Sequence, residues 1–128
     1  MNPVDPKQIA LHFNAQITAH NIDGLAALMS PDPRFIDRVG QITAGKLAML
    51  NAWRRFFALF PDYVNTFTRV ESRGNLVVLH GYATWHPGDP PDYAIWTARI
   101  EAGLVAEWCI VTDSEENRSR LGLGDRND

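Results

Sequence analysis

The strongest constraint on the fold is a run of three predicted β-strands in the second half of the chain, at 75–86, 91–102 and 104–113. Each is rich in valine, isoleucine, tryptophan, tyrosine and threonine, which fit a pleated surface. The proline-rich break at 87–91 cannot lie inside a hydrogen-bonded ladder, so it predicts a loop. Gly103 predicts a tight hairpin turn. The strands therefore form an antiparallel meander whose side chains alternate between two faces.

Both faces of this meander are largely apolar or aromatic, whereas a free-standing sheet has one dry face and one wet face. We predict that one face meets helices around a polar-lined cavity and that the other meets a second copy of the chain. One face of the first strand mixes polar and aromatic groups, and it is the face we assign to the cavity. Its residues are His80, Tyr82, Thr84 and His86.

The length and charge of the chain limit which classes of function it can have. A chain of 128 residues fits one domain with one core. A formal net charge of −3 gives no basic footprint, so we expect no nucleic-acid partner. No apolar run approaches the roughly 20 residues that span a bilayer, and the start of the chain has no apolar signal core. We therefore expect no membrane partner and a cytoplasmic location. Cys109 is the single cysteine and is interpreted as inert strand packing.

The first half of the chain predicts three helices and two strands. Apolar side chains recur at helical spacing over 5–20, 23–29 and 45–60. Prolines end the second and third of these helices. Extended runs predict a short strand at 34–37 and a long one at 63–73.

The remaining segments complete the predicted order. A glycine-bracketed stretch at 39–44 predicts a loop. From about 114 the chain is polar, so we expect a loosely ordered tail with one helical turn over 115–120. Residues 1–128 form a single predicted domain. The order α-α-β-α-β-β-β-β predicts an α+β fold with helices on one face of a curved sheet.

Three passages resemble a known superfamily. The segments 21–29 and 35–40 combine a short helix with an acidic strand end and Val-Gly; Phe60-Pro61-Asp62 follows the third predicted helix; and 99–108 runs from an arginine through a glycine turn to Glu-Trp. Together they resemble the nuclear transport factor 2-like superfamily, in its branch of SnoaL-like polyketide cyclases and ketosteroid isomerases. The resemblance implies a cone-shaped α+β fold, with three N-terminal-half helices on a curved, mostly antiparallel sheet.

The resemblance also assigns roles residue by residue. Asp37 matches the aspartate that serves ketosteroid isomerases as general base, which implies proton transfer without a cofactor. Phe13 stands where those enzymes place a tyrosine donor, and Trp96 where isomerases and cyclases place an aspartate. Neither side chain supplies the missing group, so steroid isomerisation itself is not expected. From the residues alone, Asp37 is more simply a surface carboxylate that pairs with its neighbour Arg38 or caps a turn.

The first strand of the meander carries the candidate hydrogen-bond donors for such chemistry. His80, near the strand centre, is a candidate donor or proton shuttle, or else a core histidine satisfied by one hydrogen bond. Tyr82 could donate to a ligand oxygen or find a backbone partner. His86 lies about 20 Å from His80, too far to share a metal ion, and no spacing predicts a metal site.

Aromatic residues supply the predicted cavity walls, although such residues also serve as simple core. Two functional hypotheses follow: acid/base catalysis on a small apolar carbonyl compound by Asp37 with His80 or Tyr82, or a ligand-binding or scaffold module that has lost the acid. A protein–protein adaptor is a third hypothesis, expected to expose an apolar patch. The predicted walls are Phe13, Trp53, Thr84, His86, Trp96, Trp108 and Ile110.

Overall fold

The computed structural model describes residues 5–124 and contains, within that range, four helices and six strands. The start of the chain, in which no signal core is expected, and the last four residues of the predicted tail lie outside the described residues. The helices are α1 (Pro6–Thr18), α2 (Ile22–Leu28), α3 (Lys46–Leu59) and α4 (Glu115–Arg120). The strands are β1 (Met29–Ile36), β2 (Ile42–Ala44), β3 (Val64–Arg73), β4 (Leu76–Thr84), β5 (Asp92–Glu101) and β6 (Leu104–Thr112).

The six strands form one sheet in the order β2-β1-β6-β5-β4-β3. Strand β1 runs parallel to β6, and every other neighbouring pair is antiparallel. The predicted meander and the α+β fold are confirmed. Two details were wrong: β2 lies in the stretch predicted as a loop, and β1 begins at Met29 rather than at 34. The prolines of β1 fall where its register against β6 shifts, between Met29 and Arg34, so they interrupt no regular ladder.

The helices form where local sequence favours them. Asp5 caps α1 by accepting a hydrogen bond from the Lys7 backbone N–H, and Pro6 takes the first helical position. A four-residue spacing then buries Ile9, Phe13 and Ile17 on one stripe. In α3 the same spacing buries Met49, Trp53 and Phe57. These two stripes cover one face of the sheet.

The face covered by the helices is the opposite of the one predicted. Val77 and Leu79 of β4 are fully buried in the core with the helices, so His80, Tyr82 and Thr84 must point to the outer side. His86 lies beyond the end of β4 and is exposed. Alternation separates the two sets of side chains but cannot say which set meets the helices when both are apolar. The stripes of α1 and α3 settle it, because aliphatic side chains pack there without polar atoms to satisfy.

The C-terminal segment covers part of that outer face, so the expectation of a loosely ordered tail is wrong for residues 114–124. Helix α4 matches the predicted turn, and Leu121 and Leu123 beyond it are buried against Val78 and Ile95. Arg69 donates to the backbone carbonyl oxygen of Leu123 at 2.7 Å. The segment is therefore held by both apolar and polar contacts.

A buried polar cluster at the start of α4 uses the histidine that was predicted to be catalytic. The Nε2 atom of His80 lies 2.9 Å from Oδ2 of Asp113, and Arg118 Nη1 donates to Oδ1 of Asp113 at 2.6 Å. The side chains are only 7–17% exposed. His80 is thus a histidine satisfied within the structure, the other interpretation that its position had allowed.

Strand β3 leaves no room for a side chain on β4 at Gly81. A Cβ atom placed on Gly81 would lie 1.9 Å from the Thr66 carbonyl oxygen. The register of the two strands shifts nearby, between Phe67 and Arg69. A bulge of this kind increases local bending, and glycine at position 81 permits it. None of the helices between residues 5 and 124 is long and apolar enough to cross a membrane.

Candidate functional site

A cavity of about 330 Å³ lies between α3 and the helix-facing side of the sheet. Its walls are mainly aromatic side chains from α3, from the strands β1, β5 and β6, and from the residue that follows β4. Trp53 packs against Phe35 and Phe56 with ring centroids 6.0 and 5.7 Å apart. Trp85 also lines the cavity, and its ring centroid is 5.8 Å from that of Phe56 and 4.8 Å from that of Tyr63. The aromatic walls are Phe35, Trp53, Phe56, Trp85, Trp96 and Trp108.

Asp37 is a cavity-lining carboxylate at the end of β1. Its Oδ1 atom accepts hydrogen bonds from the backbone N–H groups of Val39 at 3.0 Å and Gln41 at 2.9 Å. These bonds close the turn into β2 and fix the orientation of the carboxylate. Asp37 therefore caps a turn and lines the cavity at the same time, so the two predicted interpretations are compatible.

An ion pair stands beside the cavity. Arg38 is an exposed lining residue, and its guanidinium contacts Asp92 through two hydrogen bonds of 3.1 and 3.2 Å. The indole N–H of Trp85 donates to the same carboxylate at 3.1 Å. Burial alone would raise the pKa of Asp92, but the bonds from Arg38 and Trp85 outweigh it and lower that pKa. Asp92 is thus held ionised as the partner of Arg38.

Tyr63 and Asn65 are the buried polar residues of the cavity wall. Burial raises the pKa of the Tyr63 phenol well above its usual value; the Arg38 charge and the neighbouring Asn65 amide oppose this only in part. A phenol with so high a pKa stays protonated at physiological pH and can donate a hydrogen bond. The Oδ1 atom of Asn65 is buried and has no hydrogen-bond donor among the described residues.

The structure brings together half of the predicted site. Asp37, Trp53, Trp96, Trp108 and Ile110 all line the cavity. The other predicted residues are elsewhere: Phe13 is fully buried behind the wall, 4.9 Å from Trp108, and the four β4-side residues lie on the outer face or beyond the strand end. Those four are His80, Tyr82, Thr84 and His86.

Tyr63 and Asn65 were missed by the sequence analysis. Their signal was present, since positions two apart at the start of a strand share a face. The strand was predicted, but its faces were not assigned. Between residues 5 and 124, no three metal-ligating side chains come close enough to hold an ion.

The profile of the SnoaL-like domain matches residues 10–108. The chain belongs to the SnoaL-like domain family. No curated protein sequence matches this SnoaL-like chain. The family and the fold agree with the resemblance inferred from the motifs.

Solved structures with the same fold include an uncharacterised cystatin-fold protein from Novosphingobium aromaticivorans, with a TM-score of 0.76, 17% identity, and 84% and 98% of the two chains covered. A candidate SnoaL-like polyketide cyclase from Shewanella putrefaciens has a TM-score of 0.74 and 17% identity, with 95% and 88% covered. A candidate ketosteroid isomerase from Kribbella flavida has a TM-score of 0.70 and 20% identity, with 85% and 78% covered. These likenesses support an NTF2-like α+β fold, which hosts many activities.

Proposed function

We propose that this SnoaL-like protein catalyses cofactor-free proton transfer of the isomerase, cyclase or lyase type on a small, mostly apolar carbonyl compound. The cytoplasm remains the predicted location. The observation that carries the proposal is the fixed carboxylate of Asp37 at the wall of an aromatic cavity. A base held in place beside an apolar ligand needs little reorganisation to take a proton.

In this proposal Asp37 takes a proton from the carbon next to the ligand carbonyl. The C–H bond breaks, its electron pair forms a C=C bond, and the negative charge develops on the carbonyl oxygen. Tyr63 donates a hydrogen bond to that oxygen, in the role that the sequence had suggested for His80 or Tyr82. The carboxylic acid of Asp37 then returns the proton to another atom of the ligand, so no oxidant or metal is consumed.

Proton abstraction can be tested without knowing the natural substrate. Ketones that fit the cavity, such as 2-tetralone, exchange their α-hydrogens with deuterium in D₂O, and NMR measures the rate. We expect the wild-type protein to accelerate this exchange and Asp37→Asn to lower the acceleration about 10²–10⁴-fold, the usual contribution of a general base.

The matched control is Asp32→Asn, an exposed aspartate on the same strand that does not line the cavity. It should leave the exchange rate unchanged. Equal rates for the wild-type protein and Asp37→Asn would overturn the assignment of Asp37.

Non-catalytic ligand binding is the second candidate function. Phe13 and Trp96 favour it, because both are buried and neither carries an acid or a hydroxyl. Under this alternative, calorimetry should detect ketone binding of equal affinity in wild-type protein and in Asp37→Asn, and NMR should detect no accelerated exchange in either.

A further inference from the structure

Arg38 carries the positive charge of the cavity wall. Among the described residues that line the cavity, the charged ones are Asp37 and Arg38, and the rest are mainly apolar or aromatic. The Arg38 guanidinium pairs with Asp92, and the two side chains are 33% and 35% exposed. An ion pair so exposed to water adds little to stability. A contact with the ligand accounts better for an arginine in the wall of an aromatic cavity.

The ion pair lies at one edge of the sheet. Arg38 closely follows β1, Trp85 follows β4, and Asp92 begins β5. Since β1 runs parallel to β6, while β6, β5 and β4 are antiparallel neighbours, these three positions meet at the same edge. The pair therefore stands at the rim of the cavity. A charged group bound there keeps part of its contact with water and escapes the full cost of burying an ion.

The guanidinium of Arg38 contacts Asp92 through only part of its hydrogen-bonding capacity. Nη1 donates to Oδ1 of Asp92 at 3.1 Å and Nη2 donates to Oδ2 at 3.2 Å, which uses two of the five N–H groups. The Nε–H group and the N–H group beside it donate to no other residue between 5 and 124. Two parallel N–H groups of this kind match the two oxygens of a carboxylate.

Trp85 holds Asp92, and through it the guanidinium. The indole N–H of Trp85 donates to Oδ2 of Asp92 at 3.1 Å. The ring of Trp85 packs between Phe60 and Tyr63, with ring centroids 4.9 and 4.8 Å away. A guanidinium that is oriented in advance loses less conformational freedom when a ligand binds. Asp92 is therefore a positioning residue for Arg38.

We propose that Arg38 binds a carboxylate group of the ligand at the rim of the cavity. The apolar part of the ligand lies among the aromatic walls, and its acid group is directed to the rim. Asp37 and Asp92 are negative neighbours, so the carboxylate is favoured by its direct hydrogen bonds to the guanidinium rather than by a net positive charge. This inference rests on the proposed function and narrows its substrate class from carbonyl compounds to apolar keto acids.

Two ligands of matched shape test the carboxylate site: 3-(2-naphthoyl)propanoic acid and its primary amide, which differ by a carboxylate in place of a neutral carboxamide. At about pH 7 the acid is ionised. Calorimetry measures the dissociation constant of each ligand. We expect the wild-type protein to bind the acid about tenfold more tightly, because a hydrogen bond to an ionised acceptor is stronger than one to a neutral acceptor.

Arg38→Met has a side chain of similar length without N–H groups. It should bind the amide as the wild-type protein does and lose the preference for the acid. We expect it to fold, because Arg38 lies in an exposed turn, and its affinity for the amide verifies this. Arg54→Met is the matched control: it makes the same change of charge at an exposed position of α3 that does not line the cavity, and it should keep the tenfold preference.

The outcomes separate this proposal from the one it rests on. If the wild-type protein binds acid and amide equally, or if Arg38→Met weakens both by the same factor, the carboxylate site is overturned while the cavity can still bind carbonyl compounds. If neither ligand binds, the carboxylate site is likewise overturned. The proposed function then stands if the wild-type protein accelerates the exchange of 2-tetralone and Asp37→Asn does not, and it is overturned if both proteins exchange at the same rate.

Discussion

Two tyrosines with the same chemistry lie on opposite sides of the sheet. Tyr63 is buried in the cavity wall, whereas Tyr82 lies on the outer face with its ring 5.5 Å from that of Tyr93. Only a phenol that reaches the ligand can stabilise charge on the ligand oxygen. The same change from tyrosine to phenylalanine can therefore be compared in the cavity wall and outside it.

We expect Tyr63→Phe to slow the α-hydrogen exchange of a bound ketone about 10²-fold, the usual cost of losing one donor to a developing oxyanion. Tyr82→Phe should leave the rate unchanged. NMR measurement in D₂O checks both, with thermal melts to verify folding. Equal slowing by the two substitutions would contradict the assignment of Tyr63 as the donor.

At the level of residues, the sequence predicted the walls of the site better than its polar groups. Trp53, Trp96 and Trp108 line the cavity because large aromatics at core spacing face inward almost regardless of detail. Asp37 followed from a family resemblance. His80 could not be placed, because the decision between two apolar faces depends on which helices pack where, a property of the assembled fold.

The C-terminal segment is the element whose role was least visible in the sequence. Two leucines in a polar stretch gave little sign of burial, yet Leu121 is 9% and Leu123 1% exposed. Their partners, Val78 and Ile95, are far away in sequence, so no local pattern could reveal the contact. Helix α4 itself was predicted correctly, because its signals are local: Ser114 caps it and acidic residues begin it.

Removing one of these leucines tests the packing of the segment. We expect Leu123→Ala to lower the free energy of unfolding by about 2–5 kcal/mol, the usual cost of truncating a buried leucine. Leu47→Ala, at a position that is 72% exposed, should change it by less than about 0.5 kcal/mol. Urea titration measures both values. A loss as small for Leu123→Ala as for Leu47→Ala would mean that the segment does not pack on the sheet in solution.

The stability of the whole molecule should depend on pH through Asp113. Burial alone would raise the pKa of this carboxyl, but hydrogen bonds from His80 and Arg118 outweigh it and hold the pKa below its usual value of 3.8. A group with a lower pKa in the folded chain stabilises the fold above its unfolded pKa. That contribution is lost as the pH falls through the folded pKa.

We therefore expect the free energy of unfolding of the wild-type protein to fall between pH 6 and pH 2.5 by more than that of Asp113→Asn. The variant starts from a lower value at pH 6, since it has lost the charge that His80 and Arg118 contact. Urea titrations of both proteins at both pH values give the four free energies of unfolding that this comparison needs. Parallel losses in the two proteins would show that Asp113 has the same pKa folded and unfolded.

Assembly of two chains through the outer sheet face remains a prediction. The C-terminal segment covers Val78 and Ile95 on this face. Tyr93, two residues before Ile95 on β5, shares the face and is 48% exposed. We expect light scattering to give twice the chain mass of 14.4 kDa, and Tyr93→Glu to give the single mass, because a carboxylate would be buried without a partner. Val39→Glu, in the exposed turn before β2, is the control. A wild-type monomer would rule the dimer out.

The sheet separates the aromatic cavity on one side from the His80–Asp113–Arg118 cluster on the other. Alternate positions along a strand such as β6 therefore face either the cavity or the outer side, and one set can be mutated without changing the other. A mutant library at Trp108 and Ile110 would change the shape of the cavity and therefore which ligands bind. Cys109, between them, faces the other side and could be replaced to suit attachment of the protein to a solid support. A laboratory seeking new ligand preferences could thus screen inward-facing codons alone and keep the anchoring of the C-terminal segment unaltered.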